Sequence, residues 1–142
     1  MENQGKKLKV LVVDDNRAIL MSIKEHLSEK FEVATATNPT QAMNWLKQEN
    51  FPDLIISDRK MDEDPDSGMK FLKNIRSSGF FSNIPILILS GTGDSEDSET
   101  RIKFLEAGAD NFMLKPFNPQ ELVWRVIAIM RTAGKLNYTV KP

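Results

Sequence analysis

Asp53-Leu54-Ile55-Ile56-Ser57-Asp58 is an apolar run fit for a buried strand, and it closes on a lone carboxylate where that strand should meet solvent. Three more runs end in the same manner. Leu8-Lys9-Val10-Leu11-Val12-Val13 leads into Asp14-Asp15, Ile84-Pro85-Ile86-Leu87-Ile88-Leu89 into Ser90-Gly91, and Asn111-Phe112-Met113-Leu114 into Lys115-Pro116. Three acids, a hydroxyl and a lysine thus fall at the carboxyl ends of apolar strands. In open α/β sheets that edge is where ligands bind. The pattern points to a phosphate and metal site on a parallel sheet.

Between these runs lie segments with helical spacing. After Asn16, the residues Ile19, Leu20, Ile23 and Leu27 form one stripe of a helix. Phe31-Glu32-Val33-Ala34-Thr35 alternates weakly and reads as a strand, polar enough to lie at an edge. Asn38-Pro39-Thr40-Gln41 joins an N-cap, a first-turn proline and a glutamine at the capping-box position, and Ala42, Met43 and Leu46 follow as a buried face. Gly68 to Ser78 carries Phe71, Leu72 and Ile75, and Glu99 to Ala107 carries Ile102, Phe104 and Leu105 before Gly108 stops it. Asn118-Pro119-Gln120-Glu121 repeats the cap-plus-proline signal, with Glu121 at the box position. Leu122, Val126, Ile129 and Met130 make the last stripe, which Gly134 ends. Five strand–helix pairs in alternation predict right-handed crossovers and a five-stranded parallel sheet with helices on both faces, a doubly wound α/β fold.

Bulk properties narrow the function. With 142 residues, 40% of them hydrophobic, the chain suits one domain around a single core. A formal net charge of -1 argues against direct nucleic-acid binding, which wants a basic face. The absence of cysteine excludes disulfides, thiolate catalysis and Cys-ligated metals. Met1-Glu2-Asn3-Gln4-Gly5-Lys6-Lys7 is polar and the apolar run after it is short, so neither a signal-peptide core nor a membrane span is expected, and the protein is placed in the cytoplasm. The lone histidine, His26, sits among Lys24, Glu25 and Glu29 as a solvated surface residue, which leaves His-based catalysis and zinc without support. The loop from Gly91 to Glu99 lacks the Gly-Lys-Ser/Thr ending of a nucleotide-binding P-loop. Trp45 and Trp124 are expected to cover core edges.

Val13-Asp14-Asp15, Asp58, Ser90-Gly91 and Lys115-Pro116-Phe117, in this order and each at its own strand end, resemble the motif set of the receiver domains of two-component response regulators. The resemblance implies a flavodoxin-like sheet of order 2-1-3-4-5 in a domain spanning 8–132, with a flexible N-terminus at 1–7 and a tail or linker start at 133–142. It implies that Asp58 is the phosphoacceptor and that Asp14, Asp15, Asp58 and the backbone carbonyl of Lys60 hold Mg²⁺. Ser90 then binds the phosphoryl group, Lys115 is its cationic partner, and the Lys115-Pro116 bond is cis. Ser90 and Phe112 are the implied switch residues, while Lys60 and Thr92 flank the path of the hydrolytic water and tune phosphoryl lifetime. Having no hydroxyl, Phe112 is left to act through packing.

The implied donor is a histidine kinase or a histidine phosphotransfer protein. The implied recipient is a downstream effector protein or a fused output domain, reached through the fourth helix, fifth strand and fifth helix. A homodimer through the fourth and fifth helices follows by the same analogy. Such a domain is a signalling module and not an enzyme, catalysing only its own phosphorylation and dephosphorylation. The chemistry suits the residues. Converging carboxylates repel one another unless a cation neutralises them, and Mg²⁺ prefers hard oxygen ligands.

One stretch departs from the family pattern. After Asp58 the chain runs Arg59-Lys60-Met61-Asp62-Glu63-Asp64-Pro65-Asp66-Ser67-Gly68, with Asp62 where the family has proline and a loop about two residues longer. A solvated acidic loop is one reading. The other is that an added carboxylate tunes Mg²⁺ affinity or kinase access. Two further functions compete with the receiver reading. A receiver-like interaction module free of phosphorylation control would normally lack a site residue, and none is missing. A haloacid-dehalogenase-like phosphatase wants its two acids separated by one residue, whereas Asp14 and Asp15 are adjacent.

Overall fold

The computed structural model describes residues 7–91 and 98–138. Five strands alternate with five helices: β1 (Lys9–Val13), α1 (Arg17–Leu27), β2 (Glu32–Ala36), α2 (Pro39–Leu46), β3 (Leu54–Asp58), α3 (Ser67–Ser77), β4 (Ile86–Ser90), α4 (Ser98–Glu106), β5 (Asn111–Leu114) and α5 (Pro119–Thr132). All strand pairs are parallel, as the alternation of elements predicts, and the sheet order is β2-β1-β3-β4-β5, as the family resemblance implies.

Strand alternation divides the core in two. Val10, Val12, Leu54, Ile56, Leu87 and Leu89 point to one face and are covered by α1 and α5. Leu11, Val13, Ile55, Ile86 and Ile88 point to the other, under α2, α3 and Phe104 of α4. Both faces of β3 and β4 are therefore dry, which explains the unbroken apolar runs Leu54-Ile55-Ile56 and Ile86-Leu87-Ile88-Leu89. The edge strand β2 buries only Ala36.

Asparagine caps begin three of the helices. Asn16 Oδ1 accepts from the Ile19 N–H at 3.1 Å, Asn38 Oδ1 from the Gln41 N–H at 2.8 Å, and Asn118 Oδ1 from the Gln120 N–H at 2.8 Å. The two expected capping boxes differ from the simple pattern. Gln41 Oε1 reaches one residue further back, to the Thr37 N–H at 2.8 Å. Glu121 turns outward and pairs with Arg125 at 2.9 Å, a partner one helical turn away.

The stripe expected on α4 is corrected. Phe104 is buried, but Ile102 and Leu105 are 50% and 48% exposed. This nine-residue helix lies against the edge strand β5, where there is too little sheet to cover a wide apolar face. Trp45 packs against the core, whereas Trp124 is exposed and lies 5.7 Å from the Arg131 guanidinium. After α5 the chain turns back. Leu136 packs on the core, Lys135 Nζ meets Asp53 Oδ1 at 3.2 Å, and the Tyr138 ring lies 5.2 Å from Arg131. No helix among the described residues is long and apolar enough to cross a membrane.

Candidate functional site

Strand register decides which strand ends meet. Val13 pairs with Ser57, so Asp14 comes level with Asp58. Asp58 pairs with Leu89, which brings Ser90 one step beyond it, and Ser90 pairs with Leu114, one residue before Lys115. The Lys115 N–H donates to the Ser90 carbonyl at 2.7 Å and locks those two ends together. The crevice so formed lies where the chain reverses direction across the sheet, between β1 and β3, the expected ligand position in a doubly wound fold. Asp14, Asp15, Asn16, Ile19, Asp58, Lys60, Gly91 and Lys115 line it.

Carboxylate oxygens of Asp14, Asp15 and Asp58 lie within 4.8 Å of one another. Lys115 Nζ bridges two of these acids, 3.0 Å from Asp14 Oδ2 and 3.1 Å from Asp58 Oδ1. Asp58 Oδ1 also accepts from the Arg59 N–H at 2.9 Å, and Asp14 Oδ1 from the Asn16 N–H at 2.9 Å. Asp14 and Asp58 are buried, whereas Asp15 is exposed.

Burial and then the Asp14 charge push the Asp58 carboxyl up to about 6, despite the opposing pull of Lys115. Burial also disfavours the Lys115 ammonium, but Asp58 and Asp14 outweigh it and hold its pKa above the ordinary value. Two lysines, Lys60 and Lys115, against three carboxylates leave the crevice with an excess of negative charge. That excess and the all-oxygen donor set fit a hard divalent cation such as Mg²⁺. Ser90 adds a second sign of a ligand site, since its hydroxyl is fully buried and finds no partner among the described residues.

Of the residues singled out from sequence, Asp14, Asp15, Asp58, Lys60 and Lys115 line one crevice, Ser90 lies at the neighbouring strand end joined to Lys115 through the backbone, and the Lys115-Pro116 bond is cis. Phe112 stands apart on β5, its ring 5.6 Å from that of Phe104 on α4. Thr92 lies outside the described residues. His26 is exposed on α1, its Nδ1 2.8 Å from the Ser22 carbonyl.

Two supports of the site were not read from sequence. The Gly68 N–H donates to the Arg59 carbonyl at 2.9 Å, and a Cβ on Gly68 would stand 2.3 Å from that oxygen. This close approach draws the start of α3 against the residue after Asp58. The backbone N–H of Asp62 donates to Asp15 Oδ2 at 2.9 Å. The glycine itself was visible as a helix-opening residue, but no local signal shows a main-chain donor aimed at a distant carboxylate.

The family model described as "Response regulator receiver domain" matches residues 10–127. The chain is 36% identical over 124 residues to the phosphate regulon transcriptional regulatory protein PhoB of Escherichia coli, covering 87% of this chain and 52% of that protein. It thus spans about half the length of that curated relative. A crystal structure of a response regulator from Chloroflexus aurantiacus superposes with TM-score 0.77 at 32% identity, covering 88% of this chain and 98% of the other. Chemotaxis response regulator CheY4 of Vibrio cholerae gives TM-score 0.76 at 30% identity, covering 87% and 99%. An acidic crevice on a 2-1-3-4-5 sheet, together with a family match over most of its length, makes this chain a member of the response regulator receiver domains of two-component signalling.

Proposed function

We propose that this receiver domain accepts a phosphoryl group on Asp58 from a histidine kinase or histidine phosphotransfer protein, in a reaction that requires Mg²⁺. The observation that carries this reading is the convergence of three carboxylates and Lys115 beside the end of β4, where the buried Ser90 hydroxyl has no partner among the described residues. Asp14, Asp15, Asp58 and the Lys60 carbonyl would hold the cation, which neutralises charge on the attacking carboxylate and the incoming phosphoryl group.

An Asp58 carboxylate oxygen attacks phosphorus as the P–N bond to the donor imidazole breaks. The electron pair stays on the imidazole nitrogen, and an acyl phosphate forms on Asp58. Lys115, already 3.1 Å from Asp58, supplies positive charge to the transferred group. Ser90 donates its unused O–H to an equatorial oxygen. Positioning and charge carry the reaction, as in phosphoryl transfer generally. Lys60, exposed and lining the crevice, sets phosphoryl lifetime together with Thr92.

The added charge of roughly -1.5 to -2 is the signal. It draws the Ser90 end of β4 toward the phosphoryl group. The shift passes to α4, β5 and α5 through repacking of Phe112 against Phe104, whose rings already touch. That surface faces a downstream effector protein or a fused output domain.

Intact-mass spectrometry after incubation with acetyl phosphate, with and without Mg²⁺, tests the chemistry on the wild type and on Asp58→Asn. One phosphoryl adduct that needs both Mg²⁺ and Asp58 is expected. No adduct would instead support an interaction module outside phosphorylation control. The switch is tested separately: unchanged backbone NMR shifts in residues 91–130 on phosphorylation would rule out the α4–β5–α5 route.

A further inference from the structure

The acidic stretch after Asp58 folds into a tight turn. The Asp64 N–H donates to the Met61 carbonyl at 3.0 Å, and the two residues form an antiparallel bridge. Asp62 and Glu63 between them adopt φ of 53° and 62°. Two successive left-handed residues carrying a Cβ are disfavoured, and such a conformation persists only where its surroundings over-determine it.

Most of what holds the turn faces α3. Met61 is fully buried and its N–H is bonded to the Ser67 hydroxyl. The Asp64 carboxylate accepts from the Asp66 N–H at 2.9 Å and from Lys70 Nζ at 3.1 Å. The bond from the Asp62 N–H to Asp15 Oδ2, at 2.9 Å, runs the other way, into the crevice. Asp15 is an exposed side chain whose carboxylate would otherwise be free to rotate. The bond takes up Oδ2 and leaves Oδ1 for another partner. Proline at this position, as the receiver pattern has it, carries no N–H and could not make the contact. The acids of the turn do not join the carboxylates that gather within 4.8 Å, which come from Asp14, Asp15 and Asp58.

Resting on the reading that those three residues hold a divalent cation, we propose that the Met61–Asp64 turn is a positioning element of the cation site. It fixes Asp15 for ligation through the Asp62 backbone N–H, and its own carboxylates take no part. The longer loop thus replaces the familiar proline by a main-chain donor behind one ligand.

Calorimetric titration of the metal-free protein with Mg²⁺ tests this, alongside NMR of the Asp62 amide. Asp62→Gly/Glu63→Gly keeps the N–H and relieves the left-handed backbone, so its Kd is expected to stay within about twofold of wild type. Asp62→Pro removes both the N–H and the left-handed φ, and a roughly tenfold or greater loss is expected, as for other groups that orient a metal ligand. In an Asp15→Ala background Asp62→Pro should add little further loss, because Asp15→Ala has already removed both the ligand and the acceptor of the Asp62 N–H. In metal-free protein Asp15→Ala should move the Asp62 amide proton resonance.

Mg²⁺ binding by wild type with equal affinity in Asp62→Pro would overturn the positioning role and leave the cation site standing. A large loss in the double-glycine variant would assign the effect to the side chains and equally refute the proposal. No Mg²⁺ binding by wild type would remove the cation reading itself. Should Asp62→Pro fail to fold, the amide shift and the double-glycine titration still decide.

Discussion

The Lys115 ammonium stands 3.1 Å from Asp58 Oδ1, and the same nitrogen also meets Asp14 at 3.0 Å, so one cation from the end of β5 holds together two acids from different strands. In the metal-free protein it partly offsets their repulsion. It also sits where its charge opposes that of a bound divalent cation.

Lys115→Met should therefore tighten Mg²⁺ binding while slowing phosphorylation. Two unit charges about 4 Å apart interact by about 4 kcal/mol at an effective dielectric near 20 and by about 1 kcal/mol in bulk water, so roughly a tenfold or greater change in Kd is expected. Calorimetry on the variant checks the first effect and acetyl-phosphate labelling the second.

Asp58 gives the domain a pH dependence of definite sign. Its folded pKa of about 6 lies above the ordinary value of 3.8. The carboxyl thus favours the folded state at low pH and withdraws that support as pH rises through 6, by on the order of 3 kcal/mol. Urea melts of metal-free protein should lose this contribution between about pH 4 and 7, and Asp58→Asn should flatten the difference. Protons compete with Mg²⁺ at the same oxygens, so apparent Mg²⁺ affinity should fall roughly tenfold per pH unit below about 6.

Gly68→Ala should damage the loop after Asp58. Its Cβ would meet backbone, 2.3 Å from the Arg59 oxygen and 2.7 Å from the Asp58 oxygen, with no flexible side chain to yield. A loss of about 3 kcal/mol is expected, at the upper end of overpacking effects. Thermal melts measure it, and weakened Mg²⁺ binding should accompany it.

Arg76 near the end of α3 ties three segments together. It donates to the Gly108 carbonyl at 2.7 and 2.9 Å, to the Ile84 carbonyl at 2.6 Å and to Asp110 at 3.0 Å. Arg76→Ala should cost roughly 2–3 kcal/mol by leaving part-buried carbonyls unpaired. Arg76→Lys should recover little, since an ammonium cannot reproduce the planar fork. Chemical denaturation distinguishes the two.

Much of this protein was legible in the chain itself. Strand and helix periodicity, together with the asparagine caps at Asn38 and Asn118, gave five βα units, and the structure adds a third such cap at Asn16. An apolar run that ends on an acid, a serine or a lysine marks its own carboxyl end, because a polar group along a buried strand costs free energy unless it is paired and is therefore scarce there. So Asp14, Asp58, Ser90 and Lys115 could be named before any distance was known. Where periodicity misled, as for Ile102 and Leu105, the helix has the expected pattern but lies at the margin of the sheet. Glu121 stands at the box position, yet its carboxylate finds Arg125 instead.

Tertiary structure alone decided how the named groups meet. Register across β1, β3, β4 and β5 brings Lys115 to two acids, one of them 101 positions away in sequence. The raised Asp58 pKa and the unpartnered Ser90 hydroxyl are properties of burial, which no single strand possesses. The turn at Met61–Asp64 appears in sequence only as a run of acids. Its working part is a backbone N–H aimed at Asp15, and every residue but proline has one. Side-chain type can be read from a sequence, but the direction of a main-chain donor is set by the packing around it.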